Sequence, residues 1–81
     1  MIEPEEITGR LENWKRDDLF PIIWGNIYED TRKRFIDGAW IHTSSINDLH
    51  KKSLKEGEIV KTINSTYVLG KPFVMGVVNE Q

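Results

Sequence analysis

"DTRKRFIDGAWIHTS", residues 30–44, decides what kind of sheet this chain can build. Asp37-Gly38 is among the strongest two-residue hairpin signals, because both central positions of such a turn take positive φ. Closed there, the register sets Phe35 opposite Trp40, Arg34 opposite Ile41 and Lys33 opposite His42. Phe35 and Trp40 then form a cross-strand aromatic pair contributing up to about 1 kcal/mol. The run Arg32, Lys33, Arg34 lies on one arm of that hairpin. A longer loop from Asp30 to Gly38 is the competing reading, and it scatters these pairs.

Strand signals continue on both sides. "EIVKTINSTYVLG", residues 58–70, holds two β-prone runs around Asn64-Ser65. A two-residue loop there pairs Thr62 with Tyr67, Lys61 with Val68 and Val60 with Leu69. Because side chains alternate along a strand, Val60, Thr62, Tyr67 and Leu69 share one face, and that face reads as core. Lys61 marks the other face as wet. Upstream, "PIIWGNIYED", residues 21–30, reads as a strand with Pro21 at its first position, where no ladder donor is needed. Gly25 inside it signals a bulge or a bend. "ITGRLENWKRD", residues 7–17, alternates more weakly, and Phe73–Val78 offers a last strand after Pro72.

"SSINDLHKKSLKEG", residues 44–57, breaks the pattern. Ser45 or Asn47 suits the cap of a short helix over Asp48–Lys55, and Gly57 suits its end. A polar loop is the alternative. The whole reads as a mainly β chain, β-rich α+β at most. Its expected form is a small barrel or curled antiparallel sheet of five or six short strands, with one short helix near 47–55, folded as a single domain over 1–81.

Composition narrows the chemistry. In an 81-residue chain with a thin core, the three Trp, three Phe and two Tyr supply much of the area available for burial. There is no Cys, so disulfides and thiolate zinc sites are excluded. No run approaches the roughly 20 apolar residues of a membrane span, and no secretory h-region is visible, so a cytoplasmic location and no membrane partner are expected. A net charge of −2 argues against a general nucleic-acid binder. Asn64-Ser65-Thr66 matches a glycosylation acceptor but reads as a turn.

Catalytic patterns are weak. His42 is the best candidate by residue type, and Ser44 shares its face, but nothing marks an orienting acid or an oxyanion hole. Asp30, Asp37, His42 and His50 match no zinc or EF-hand spacing. Glu5, Glu6, Glu12, Asp17 and Asp18 read as a solvated acidic face. No catalytic residue, metal or cofactor is assigned. The basic cluster is the stronger feature: Arg32, Lys33 and Arg34 beside Tyr28, Trp24 and Trp40 combine charge with rings, and Lys51, Lys52 and Lys55 extend it. Such a combination suits an acidic protein surface, or single-stranded nucleic acid or a nucleotide. The structural alternative is that three bases guard an exposed sheet edge.

The same segment resembles a loose group of short phage- and prophage-encoded proteins of uncharacterised function. The likeness rests on Gly25, Tyr28, Asp30, Arg32, Arg34, Phe35, Asp37, Gly38, Ile41, Thr43 and Ser44, and further on at Thr62, Tyr67, Leu69 and Gly70. It spans about residues 24–70, and the stretch Asn47–Glu56 looks longer here than in that group. The resemblance implies a bacterial or phage origin and a small β-rich fold, and brings no activity. The expected function is therefore a non-enzymatic interaction protein that meets a host or phage protein through a basic-aromatic hairpin. The expected contact residues are Tyr28, Asp30, Arg32, Lys33, Arg34, Trp40 and His42. A nucleic-acid or nucleotide-binding module is the second reading, and open strand edges favour a homodimer.

Overall fold

The computed structural model describes residues 6–74. Five strands form one sheet: β1 (Gly9–Arg16), β2 (Ile23–Tyr28), β3 (Ala39–His42), β4 (Ile59–Lys61) and β5 (Thr66–Leu69). Their order is β3-β2-β1-β5-β4, so β3 and β4 are the edges of an open sheet. The expectation of a mainly β fold of five short strands holds. One junction departs from an all-antiparallel sheet: β1 and β5 run parallel, with Gly9 beside Tyr67 and Leu11 beside Leu69. The chain's first and last described strands thus meet at the centre.

Alternation sorts the side chains onto two faces. Leu11, Ile23, Ile27, Ile41, Val60, Tyr67 and Leu69 are buried on one. Trp14 joins them through a bulge: the β1–β2 register shifts between Glu12 and Lys15, and Asn13 takes φ 57°. The extra residue turns the Trp14 indole inward, where Nε1 donates to the Gly70 carbonyl at 2.8 Å. Gly25, expected to mark a bulge, sits directly across from it. A Cβ there would lie 3.2 Å from the Glu12 carbonyl oxygen and 3.3 Å from the Leu11 and Trp14 Cβ atoms.

Because β3 and β4 are opposite edges, residues 43–58 must cross the whole sheet, and they do so over the core face. Ile46 and Leu49 are buried and Leu54 packs against the same cluster. Arg16 fastens the crossing by donating to the carbonyls of Leu49, at 2.7 Å, and Lys52. The helix expected near 47–55 is reduced to one 3-10 turn, Leu49–Lys51. Asp48 before it is left-handed and makes no side-chain cap, so neither Ser45 nor Asn47 starts a helix. Two aliphatics spread over a crossing segment need extended backbone between them, and that need overrides a weak helical preference.

The β4–β5 hairpin forms with a register two residues from the expected one: Val60 pairs with Tyr67 and Lys61 with Thr66. The Thr62 hydroxyl accepts from the amides of Ser65 and Asn64, which closes a four-residue turn over 62–65. A slip of two keeps every side chain on its face, so Val60, Tyr67 and Leu69 are buried as read from sequence. The two-residue hairpin at Asp37-Gly38 does not form. Strand β3 pairs with β2 instead, Trp40 opposite Asn26 and His42 opposite Trp24, and residues 29–38 are a loop. In the expected last strand, Pro72 bridges to Trp14, Phe73 and Val74 are irregular, and residues 75–78 lie outside the described residues.

Candidate functional site

Two places gather the residues singled out from sequence. The first is the loop 29–38, organised by Asp30. Its side chain is 1% exposed. One carboxylate oxygen accepts from the amides of Arg34 at 2.7 Å and Phe35 at 3.2 Å, the other from the amide of Arg32 at 3.2 Å, and the Arg34 guanidinium reaches both at 3.4 Å. Burial alone would push this carboxyl up, but Arg34 and the loop amides outweigh it and hold Asp30 below its ordinary value. Arg34 also reaches the Tyr67 hydroxyl at 3.5 Å and lies 5.2 Å from the Phe35 ring centre. Arg32 contacts the Ser65 hydroxyl at 3.3 Å.

The basic run is therefore largely an internal device. Arg34 closes the loop on Asp30, and Arg32 ties it to the 62–65 turn. Lys33, left-handed at φ 56° and exposed, is the member of the three that turns its charge wholly outward. Asp37 accepts from the Glu29 amide at 2.8 Å and serves the same loop. Lys51, Lys52 and Lys55 lie on the crossing segment and do not extend the cluster.

The second place is the sheet face opposite the core. Trp24, Asn26 and Tyr28 of β2 share it with Trp40 and His42 of β3, and Arg10, Glu12 and Lys15 of β1. The Trp24 and Trp40 rings stack, with centroids 6.2 Å apart and planes 17° from parallel. The His42 ring sits 4.9 Å from Trp24. Lys15 lies 5.3 Å over the Phe73 ring, so aromatic surface continues past β1. Trp40 remains 46% exposed.

This face is held from below and from the side. Asp17, in the β1–β2 turn, accepts from Trp24 Nε1 at 2.9 Å and from the amides of Leu19 and Phe20 at 2.9 and 2.8 Å. The Phe20 amide, the indole and the Leu19 amide hold the Asp17 carboxyl below its usual value. Arg10 lies over Tyr28 at 5.2 Å and is paired with Glu12 at 2.7 Å and Glu29 at 2.6 Å. Its charge is thereby neutralised within the face. His42 Nδ1 lies 2.9 Å from the Thr43 carbonyl oxygen, which orients the ring.

The expected contact residues thus divide. Tyr28, Trp40 and His42 come together on the open face; Asp30, Arg32, Lys33 and Arg34 lie in the loop. Trp24 is as central as Trp40 but is visible as such only in the true register. Asp17, read as a solvated acid, is the residue that fixes the indole; an Asp two and three residues ahead of turn amides was its signal. No contact joins His42 to Ser44, whose carbonyl instead accepts from Thr43 Oγ1 at 2.8 Å. Among the described residues no group of three or more His, Asp or Glu is placed to hold a metal ion. No helix among them is long and apolar enough to cross a membrane. Compared with protein-family models, curated proteins and solved structures, the chain has no match.

Proposed function

We propose that this protein is a non-enzymatic interaction module that binds a protein partner on the open face of its sheet. Trp40 is the anchor, with Trp24, His42 and Tyr28 around it. The observation that carries this reading is a large indole left nearly half exposed yet held in place, stacked on a second indole whose own nitrogen is fixed by Asp17. An aromatic ordered before binding loses little entropy on binding, and Trp, Tyr and Arg dominate the energetics of protein interfaces. The resemblance in the 24–70 segment points to a host or phage protein as that partner.

The charge pattern favours protein over nucleic acid. Arg10 is matched by two glutamates, Asp17 and Asp18 border the Trp24 side of the face, and Arg34 is committed to Asp30. A phosphate backbone needs unmatched cations along its track. Affinity capture from a bacterial lysate with Trp40→Ala, and separately with Lys33→Ala, tests the reading. Loss of partners with the first and retention with the second supports the face; the reverse returns the site to the basic loop. Quenching of tryptophan fluorescence by oligonucleotides at low salt, weakening as salt rises, would replace the protein partner with a nucleic acid.

A further inference from the structure

We infer that the β3 edge pairs with the β3 edge of a second copy of this chain, antiparallel about a twofold axis at Ile41, so that two sheets become one. The inference concerns backbone groups at the edge and stands apart from the side-chain face proposed above for a partner.

The ladder fixes which groups are free. Thr43 N–H donates to the Ile23 carbonyl at 2.9 Å. In the same phase, Ile41 with Gly25 is the pair that exchanges hydrogen bonds, while Trp40 and His42 fall on the alternate positions. At the start of the strand the Ala39 amide turns back to the Ile36 carbonyl and the Gly38 amide takes the Ile27 carbonyl. The peptide N–H and C=O groups of Trp40 and His42 therefore point away from β2. No described residue meets them there. Native sheets blunt such an edge with Lys, Pro, a bulge or a covering segment. The sequence of β3, Ala-Trp-Ile-His, has neither Lys nor Pro, and its register with β2 runs without a shift. The other edge is three residues long, ends in Lys61 and is flanked by residues 45–48 of the crossing segment.

The strand fits a copy of itself. With Trp40 and His42 outward, antiparallel pairing sets Trp40 of one copy opposite His42 of the other, twice. This indole–imidazole opposition already exists in the chain, between Trp24 and His42, with ring centroids 4.9 Å apart. Ala-Trp-Ile-His carries no acid and no ammonium, so the twofold axis brings no fixed like charges together. The same register brings Ile36, 82% exposed at the foot of β3, toward residues 44–46 of the second copy. The stacked pair Trp24–Trp40 then continues into its symmetry mate, and two open faces become one aromatic surface.

Four residues make a short interface, below the size of a standard one, so a dissociation constant of about 1–100 µM is expected. Sedimentation equilibrium of the full chain from about 5 to 500 µM spans that range by mass action. His42→Pro removes the outward N–H and leaves the ladder to β2 intact, since that N–H takes no part in it. His42→Ala removes the ring and keeps the N–H. The expected result is a concentration-dependent dimer for the natural chain, retained within about tenfold in His42→Ala and lost in His42→Pro. Amide exchange in the natural chain gives a reading that needs no variant: protection of Trp40 and His42 rises with protein concentration. A chain that stays monomeric across the range overturns the inference. So does a His42→Pro variant that associates like the natural chain, or exchange at Trp40 and His42 that ignores concentration. Loss of a partner in Trp40→Ala with an unchanged dimer leaves this inference standing, so the two readings fail separately.

Discussion

Asp30 and Arg34 hold one another across a loop with no regular structure: the guanidinium reaches both carboxylate oxygens at 3.4 Å while the backbone amide of the same arginine donates at 2.7 Å. One acid thereby fixes the path of a ten-residue connection. Asp30→Ala strands the amides of Arg32, Arg34 and Phe35 and leaves the Arg34 cation without its carboxylate, beside the Tyr67 hydroxyl and the Phe35 ring. The expected loss is of order 3 kcal/mol, the low end for breaking a buried pair, because Arg34 keeps some contact with water. Urea denaturation of the variant measures it.

Acid should weaken the fold in a defined range. Lys71 N–H and Arg10 hold Glu12 below its ordinary value, as the Phe20 amide does Asp17, and as Arg34 does Asp30 against its burial. A carboxyl with a depressed folded pKa stabilises above its unfolded value and loses that contribution as pH falls through the folded one. Stability is expected to be flat above about pH 5.5 and to fall below about pH 4.5, where unfolded Asp and Glu begin to take up protons. Chemical denaturation at a series of pH values reads the curve, and Asp30→Asn should make its acid limb shallower.

The approach of β1 to β2 at the bulge leaves only a tight fit for a methyl group at Gly25. Gly25→Ala sets a Cβ 3.2 Å from a backbone oxygen and 3.3 Å from two Cβ atoms, none of which can swing aside. A destabilisation of about 1–3 kcal/mol is expected, the range for overpacking a core. Near-ultraviolet circular dichroism should also change, since the displaced neighbour is Trp14.

Lys33 is a lysine in the left-handed region, with φ 56°. A glycine takes that conformation without its side-chain penalty. Lys33→Gly should raise stability by about 0.5–1 kcal/mol, the left-handed cost less the entropy that glycine adds to the unfolded chain. A thermal melt decides the sign. If binding of the protein partner survives this substitution, the outward charge of the loop is not the recognition element.

Much of the fold was legible, and the failures have physical causes. Val60, Tyr67 and Leu69 could be set on the core face because alternation fixes the face even where the register is wrong by two. The error came from Thr62, whose hydroxyl captures two amides and lengthens the turn. At Asp37-Gly38 only half of the expected turn chemistry is present: Gly38 takes positive φ and Asp37 does not. The hairpin failed because Asp30 binds amides two, four and five residues ahead and withdraws Lys33–Phe35 from any strand. With the register went the site: Trp40 was matched to Phe35, and its stack on Trp24 stayed hidden. The parallel junction of β1 with β5 joins residues nearly sixty positions apart, and no local pattern announces it.

That junction bears on how the chain comes into being. In chain order β2 follows β1 closely, but the other neighbour of β1 is complete only once Tyr67 and Leu69 have been made. The nascent hairpin must wait with one side of Leu11 bare. Completion then depends on a long-range search, the kind that slows β proteins to milliseconds or longer. In that interval an unfinished chain leaves an unpaired strand flank open, the kind of surface through which incomplete β folds associate.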